Sequence, residues 1–192
     1  ALPVVTLNDP DDQCTDGTDM VFTGTPTVGA AAGDMGVFSV SPATAALTDA
    51  DDGTATLDVS AATPGTYQVS YTYTNENGCD DVAMSSIEVF ALPVVTLNDP
   101  DDQCTDGTDM AFTGNPLVGT VASDMGVFSI SPATAAFTDA GDGTASLDVS
   151  AVAPGTYQVS YTYTNENGCD DVAMSSIEVF ALPVVTLNDP DD

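Results

Sequence analysis

Four cysteines and thirty carboxylates carry most of the bond-forming or metal-binding chemistry in this sequence of 192 residues, which contains no lysine, arginine or histidine. The thiols are Cys14, Cys79, Cys104 and Cys169. Zinc-type sites need clustered Cys and His ligands, and there is neither a CxxC pair nor a histidine, so disulfides are expected. Four cysteines allow three pairings. The densest carboxylates are Asp9, Asp11, Asp12, Asp16 and Asp19 in the run NDPDDQCTDGTD, and Glu166, Asp170 and Asp171 around a later Asn-Gly-Cys. Carboxylate oxygens suit Ca²⁺, which takes about six to eight of them. Solvated acidic loops are the alternative reading.

The missing bases exclude whole classes of partner. No side-chain salt bridge can form, so charge is neutralised by solvent cations or bound metal. Phosphate backbones and anionic membranes repel such a chain, which removes nucleic acid as a partner. No run of about 18 apolar residues is present to span a membrane. Catalysis would have to rest on carboxylate pairs, Tyr, Ser, Thr or Cys. A glycosidase can work with two carboxylates, but it needs a cleft, and this sequence has no insertion long enough to build one. No catalytic residue is therefore assigned, and no cofactor beyond Ca²⁺.

The elements that position these groups repeat. ALPVVTLNDPDD stands at Ala1, Ala91 and Ala181, a period of 90 residues. The expected organisation is one repeat over 1–90, a second over 91–180, and the first strand of a third over 181–192. The two full repeats differ at twelve positions, all between Val21/Ala111 and Thr63/Ala153. A leftover strand over 181–192 would suit donation to a neighbouring subunit. Residues 1–12 already supply that strand, however, and leave no vacancy, so the sequence reads as a segment of a longer array.

Within each repeat the hydrophobic period is two. In Gly65–Asn75, Tyr67, Val69, Tyr71 and Tyr73 alternate with Gln68, Ser70, Thr72 and Thr74, the pattern of a strand with one buried face. Asn77-Gly78 predicts a tight hairpin turn with φ > 0 at both positions, leading into a strand over Val82–Phe90. Further strands are expected over Val4–Leu7, Met20–Thr23, Gly36–Val40 and around Ala55, Leu57 and Val59. About seven short strands in ninety residues predict an all-β fold, tandem immunoglobulin-like β-sandwich repeats of 90 residues. Pro64-Gly65-Thr66-Tyr67 has the form of a tyrosine corner. The acidic run Asp49-Ala50-Asp51-Asp52-Gly53 lacks the distal Glu of a calcium loop and reads as a turn.

The stretch PGTYQVSYTYTNENGC, followed by SSIEVFALPVVTL, resembles the Ig-like or PKD-like tandem repeats of large secreted bacterial surface proteins, adhesins and filaments among them. The resemblance implies an extracellular or cell-surface, non-catalytic module.

In an Ig-like topology Cys14 and Cys79 fall at opposite ends of the sandwich, too far apart for a disulfide. End-to-end stacking would instead bring Cys14 to Cys169, and the acids around Cys14 to Glu166, Asp170 and Asp171. An intra-repeat pairing stays open at this level, as does Ca²⁺. The function expected is a structural module of a fibre or stalk, stiffened at its junctions by disulfides and Ca²⁺, with copies of itself or neighbouring repeats as partners. The alternative is an adhesin repeat that binds a glycan or a surface protein. Of the twelve differences, Thr25/Asn115, Thr27/Leu117, Ala30/Thr120, Ala31/Val121 and Gly33/Ser123 fall in one loop. A binding site used by every repeat would resist such change.

Overall fold

Alternation along the Tyr-rich segment becomes one long strand, β7 (Gly65–Thr74), in which Tyr67, Val69, Tyr71 and Tyr73 are buried. This is a computed structural model that describes residues 1–29, 32–119 and 123–187. The differing positions Ala30/Thr120 and Ala31/Val121 lie outside the described residues. Two compact units, Ala1–Leu92 and Pro93–Asp192, carry the same architecture.

In the first unit the strands run β1 (Thr6–Leu7), β2 (Gln13–Cys14), β3 (Met20–Thr25), β4 (Met35–Ser41), β5 (Leu47–Asp49), β6 (Thr54–Leu57), β7 and β8 (Asp80–Phe90). One sheet has the order β1-β3-β6-β5 and the other β2-β8-β7-β4. All pairings are antiparallel except β2 with β8, which is parallel. The second unit repeats this with β9 (Thr96–Leu97), β10 (Gln103–Cys104), β11 (Met110–Asn115), β12 (Met125–Ser131), β13 (Phe137–Asp139), β14 (Thr144–Leu147), β15 (Gly155–Thr164) and β16 (Asp170–Phe180). Each unit is thus an immunoglobulin-like sandwich with its own core. In the first, Phe22, Leu57 and Val59 from one side meet Tyr71, Val69 and Ile87 from the other. The described residues contain no α-helix, only a 3₁₀ turn at Val149–Ala151, and none long and apolar enough to cross a membrane.

Two expectations are corrected. The β7–β8 connection is not a two-residue hairpin. It spans Asn75 to Cys79, with a positive φ of 74° at Gly78 and none at Asn77. Asn75 organises it: its Oδ1 accepts from the backbone N–H groups of Asn77 (3.0 Å) and Cys79 (3.1 Å). Cys14, which as a residue between the first two expected strands would fall in a loop, lies instead on β2. There the backbone N–H of Thr15 donates to the carbonyl of Phe90 at 3.0 Å and Cys14 pairs in register with Phe90.

The tyrosines hold the layers together. The Tyr67 hydroxyl donates to the Thr63 carbonyl at 2.6 Å, the expected tyrosine corner, and Tyr157 does the same to Ala153 at 2.8 Å. Tyr71 is fully buried and donates to the Pro26 carbonyl at 2.7 Å. Its ring lies against Gly24 of β3 and Gly36 of β4, where a Cβ would come within 2.2 Å of ring or hydroxyl atoms.

Candidate functional site

The acidic run before Cys14 crosses from one sheet to the other, and its side chains pin it to both. Asn8 donates through Nδ2 to the Val21 carbonyl (2.9 Å) and accepts the Thr23 N–H on Oδ1 (2.6 Å), holding the run to β3. Asp9 then accepts from the Ser85 hydroxyl at 2.6 Å, and Asp12 from the Glu88 N–H at 2.7 Å, both on β8. Asn98, Asp99 and Asp102 make the same bonds in the second unit. Two of the proposed calcium ligands thus each commit an oxygen to the fold.

Asp11, Asp16 and Asp19 are exposed on the same stretch. Glu166, Asp170 and Asp171 sit at the β15–β16 turn of the second unit, with Asp171 accepting the Val172 N–H at 2.8 Å. Among the described residues no three His, Cys, Asp or Glu side chains converge as a metal site. The acidic turn at 49–53 closes through its own groups. Asp52 accepts both the N–H and the hydroxyl of Thr54 (2.9 and 2.6 Å), and the Thr54 hydroxyl bond above all holds its carboxyl below the usual range.

Cys14 and Cys169 are disulfide-bonded, whereas Cys79 and Cys104 are free thiols. Geometry within one unit limits what can pair. Cys14 lies opposite Phe90, at the far end of β8 from Cys79, and β8 has 11 residues. At the rise of a strand that is about 36 Å, against a limit near ~7 Å between disulfide Cα atoms. Cys14 with Cys79 is therefore excluded within a folded repeat, and Cys104 with Cys169 by the same register in the second unit.

The position of the first residue links the two ends of the sandwich to the repeat period. Asn75, which organises the turn before Cys79, donates through Nδ2 to the Ala1 carbonyl at 3.1 Å. The first repeat thus begins beside its own β7–β8 turn and ends at Phe90, in register with Cys14.

Sequence reasoning missed two carboxylates with structural work. Asp34 is buried, 8% exposed, and accepts from the Tyr73 hydroxyl (3.0 Å) and the Gly29 N–H (3.0 Å). Asp124 repeats this with Tyr163 and Gly119. Burial, then the Asp34 hydrogen bond, push the Tyr73 hydroxyl up. Asp49 accepts the outward N–H of Phe38 on the edge strand β4 at 2.8 Å, as Asp139 does for Phe128 at 2.9 Å. The available signal was their retention in both repeats beside a loop that varies. No pocket opens among the described residues.

No family model matches the chain, and no curated protein does. Solved structures similar to it include a Ca²⁺-stabilised adhesin with which an Antarctic bacterium binds ice, at 19% identity over 95% of this chain and 50% of that one, TM-score 0.46. Drosophila N-cadherin EC1-4 is similar at 11% identity over 93% and 50%, TM-score 0.45. The fibronectin(III)-like modules of Clostridium thermocellum CbhA are similar at 13% identity over 97% and 100%, TM-score 0.39. The chain spans about half the length of the adhesin and cadherin structures. Likenesses this distant carry no argument about activity.

Proposed function

We propose that this chain is a structural segment of an extracellular fibre or stalk, in which consecutive repeats are joined by a disulfide between Cys14 and Cys169 as well as by the peptide chain. The observation that carries this is the register at the two ends of the sandwich. Cys14 lies opposite Phe90, Ala91 follows Phe90, and a repeat's first residue sits beside the turn that holds its second cysteine, as Ala1 does with Asn75. Ala91 and Asn165 are the same residues in the second repeat, and on this reading Cys169 is the partner of Cys14. A disulfide also points to an oxidising, extracellular setting.

Peptide mapping of the unreduced chain tests this. A Cys14–Cys169 linked peptide is expected, and recovery of Cys14–Cys79 would overturn the reading. Ca²⁺ belongs to the proposal as a counter-ion for acids that have no basic partner. Among the described residues no ligand cluster supports a defined site, so unfolding with and without Ca²⁺ decides it. The proposal is non-catalytic. Its competitor, glycan recognition by the variable loop, predicts retention of the chain on a glycan array.

A further inference from the structure

Alternation along β4 and β8 turns every second side chain to solvent, and several of those side chains are apolar. Met35 and Val37 of β4 are 59% and 57% exposed, and Val82 and Met84 of β8 are 43% and 58% exposed. Register sets them out as two ridges. Val37 aligns with Thr72 and Thr72 with Val82, and in the next outward row Ser39, Ser70 and Met84 align. Between the ridges β7 presents the shorter Ser70, Thr72 and Thr74, so the face is a shallow groove whose flanks stand about 10 Å apart, two strand spacings. The Ser39 and Ser70 hydroxyls bond each other at 2.7 Å, so burying the groove floor strands neither of them. β4 and β7 place no carboxylate on this face, in a chain of net charge −30.

Met125, Val127, Val172 and Met174 repeat the pattern in the second unit at 44–61% exposure. β4 lies inside the stretch where the repeats differ, yet its one difference, Val40/Ile130, packs against the core. On the outer face of the other sheet Val21/Ala111, Thr25/Asn115 and Thr56/Ser146 all differ. An exposed apolar patch that recurs unchanged in each repeat marks an interaction surface.

We infer that this face is a lateral docking surface for the same face of a second copy of the chain, so that arrays lie side by side. The inference rests on the fibre reading above and extends it from one row of repeats to several.

Shape, charge and area select a second copy as the occupant. A ridge of one copy fits the groove of the other, and the two-fold symmetry of like on like seats the reciprocal ridge at the same time. A partner with basic groups would be drawn to the carboxylates instead of a face that lacks them, whereas a second polyanion of this kind approaches closely where carboxylates are absent. Four half-exposed side chains amount to on the order of a few hundred Å² in a repeat, short of the ~800 Å² per partner of a stable interface. Repetition makes up the deficit, and a chain with the same ninety-residue period offers the matching series of patches.

Sedimentation velocity of the full chain tests this, with the thiols capped by iodoacetamide so that no new disulfide links chains, and with EDTA to remove bridging cations. Concentration-dependent dimers are expected below ~1 mM. They should strengthen from ~0.1 M to ~1 M NaCl, as the Debye length falls from ~10 Å to ~3 Å and the carboxylates of the two copies cease to repel. Val82→Glu with Val172→Glu should weaken dimerisation by about tenfold or more, because in a two-fold contact each added charge is met by its own copy. Val21→Glu with Ala111→Glu adds the same two charges to the outer face of the other sheet and should leave dimerisation unchanged. All four positions are exposed, so both variants should melt as the parent does. A chain still monomeric at ~1 mM, dimers that dissolve as salt rises, or equal loss from both pairs of substitutions would each overturn the inference. Binding to a glycan array that Val82→Glu and Val172→Glu abolish, with no dimer, would assign the face to a glycan instead. Peptide maps of the same samples report the fibre reading separately. A monomeric chain that carries Cys14–Cys169 removes only this inference, and a chain without that bond removes the fibre reading on which it rests.

Discussion

Gly24→Ala is the sharpest perturbation of the fold. A Cβ at Gly24 would lie 2.2 Å from Cδ1 of Tyr71, and the ring cannot retreat, because a Cβ at Gly36 would likewise meet the Tyr71 hydroxyl at 2.2 Å. Tyr71 is fully buried and its hydroxyl is fixed on Pro26. Overpacking of this kind costs about 1–3 kcal/mol. Pulling the hydroxyl off its carbonyl adds about 1 kcal/mol, for a total of about 3 kcal/mol. A ninety-residue unit has an unfolding entropy near ~0.2 kcal/mol/K, so the expected fall in Tm is about 15 °C. Each unit has its own core, so calorimetry should show one transition displaced and the other in place. Gly29→Ala is the control. Nothing lies within 4 Å of its Cβ, but φ is +91°, so the cost is backbone strain of about 1 kcal/mol, near ~5 °C. A Gly24→Ala melt within ~3 °C of the parent would refute the claim that Tyr71 is clamped between two glycines.

Other outcomes follow from the same structure. Asp49→Ala strips the acceptor from the N–H groups of Phe38 and Asp51 and should cost about 2 kcal/mol by thermal melt, with Asp49→Asn losing less. Asp51, at φ 60°, stands where the second repeat has Gly141 at φ 74°; Asp51→Gly should raise the first unit's Tm by a few degrees, about 0.5–1 kcal/mol. Burial raises the Tyr71, Tyr73 and Tyr161 hydroxyls above the usual tyrosine value of about 10. The folded chain therefore keeps protons that the unfolded chain sheds, and the contribution of these tyrosines to stability is constant below pH 10 and falls as pH rises past it. Tyrosinate absorbance should appear together with loss of the circular dichroism signal, and titration of these tyrosines in a folded chain would contradict their burial. On the proposed Cys14–Cys169 pairing, reduction opens a loop of about 155 residues, worth about 5 kcal/mol of denatured-state entropy; an unchanged melt in dithiothreitol would contradict that pairing.

What was legible in the sequence was whatever a strand's own period encodes. The tyrosines of β7, the Pro-Gly-Thr-Tyr corner and the division into ninety-residue repeats are local patterns, and local patterns survive without tertiary knowledge. The uses of the carboxylates were not legible, because each depends on a group far along the chain. Asp9 meets Ser85 and Asp12 meets Glu88, both 76 residues away, and Asp34 meets Tyr73 across 39. From sequence these acids read as uncompensated charge that calls for a cation. In the fold they serve first as acceptors. With no lysine or arginine to pair, Asp9, Asp12, Asp34, Asp49 and Asp52 take hydrogen bonds from backbone amides and hydroxyls. Among the described residues no buried side-chain nitrogen or oxygen is left without a partner. A carboxylate bonded to amides is stabilised as an anion without any cation, which is how a chain of net charge −30 can close two sandwiches. The bonds of Asp9 and Asp12 anchor the run that carries Cys14, so two of the acids expected as calcium ligands also hold Cys14 in register with Phe90.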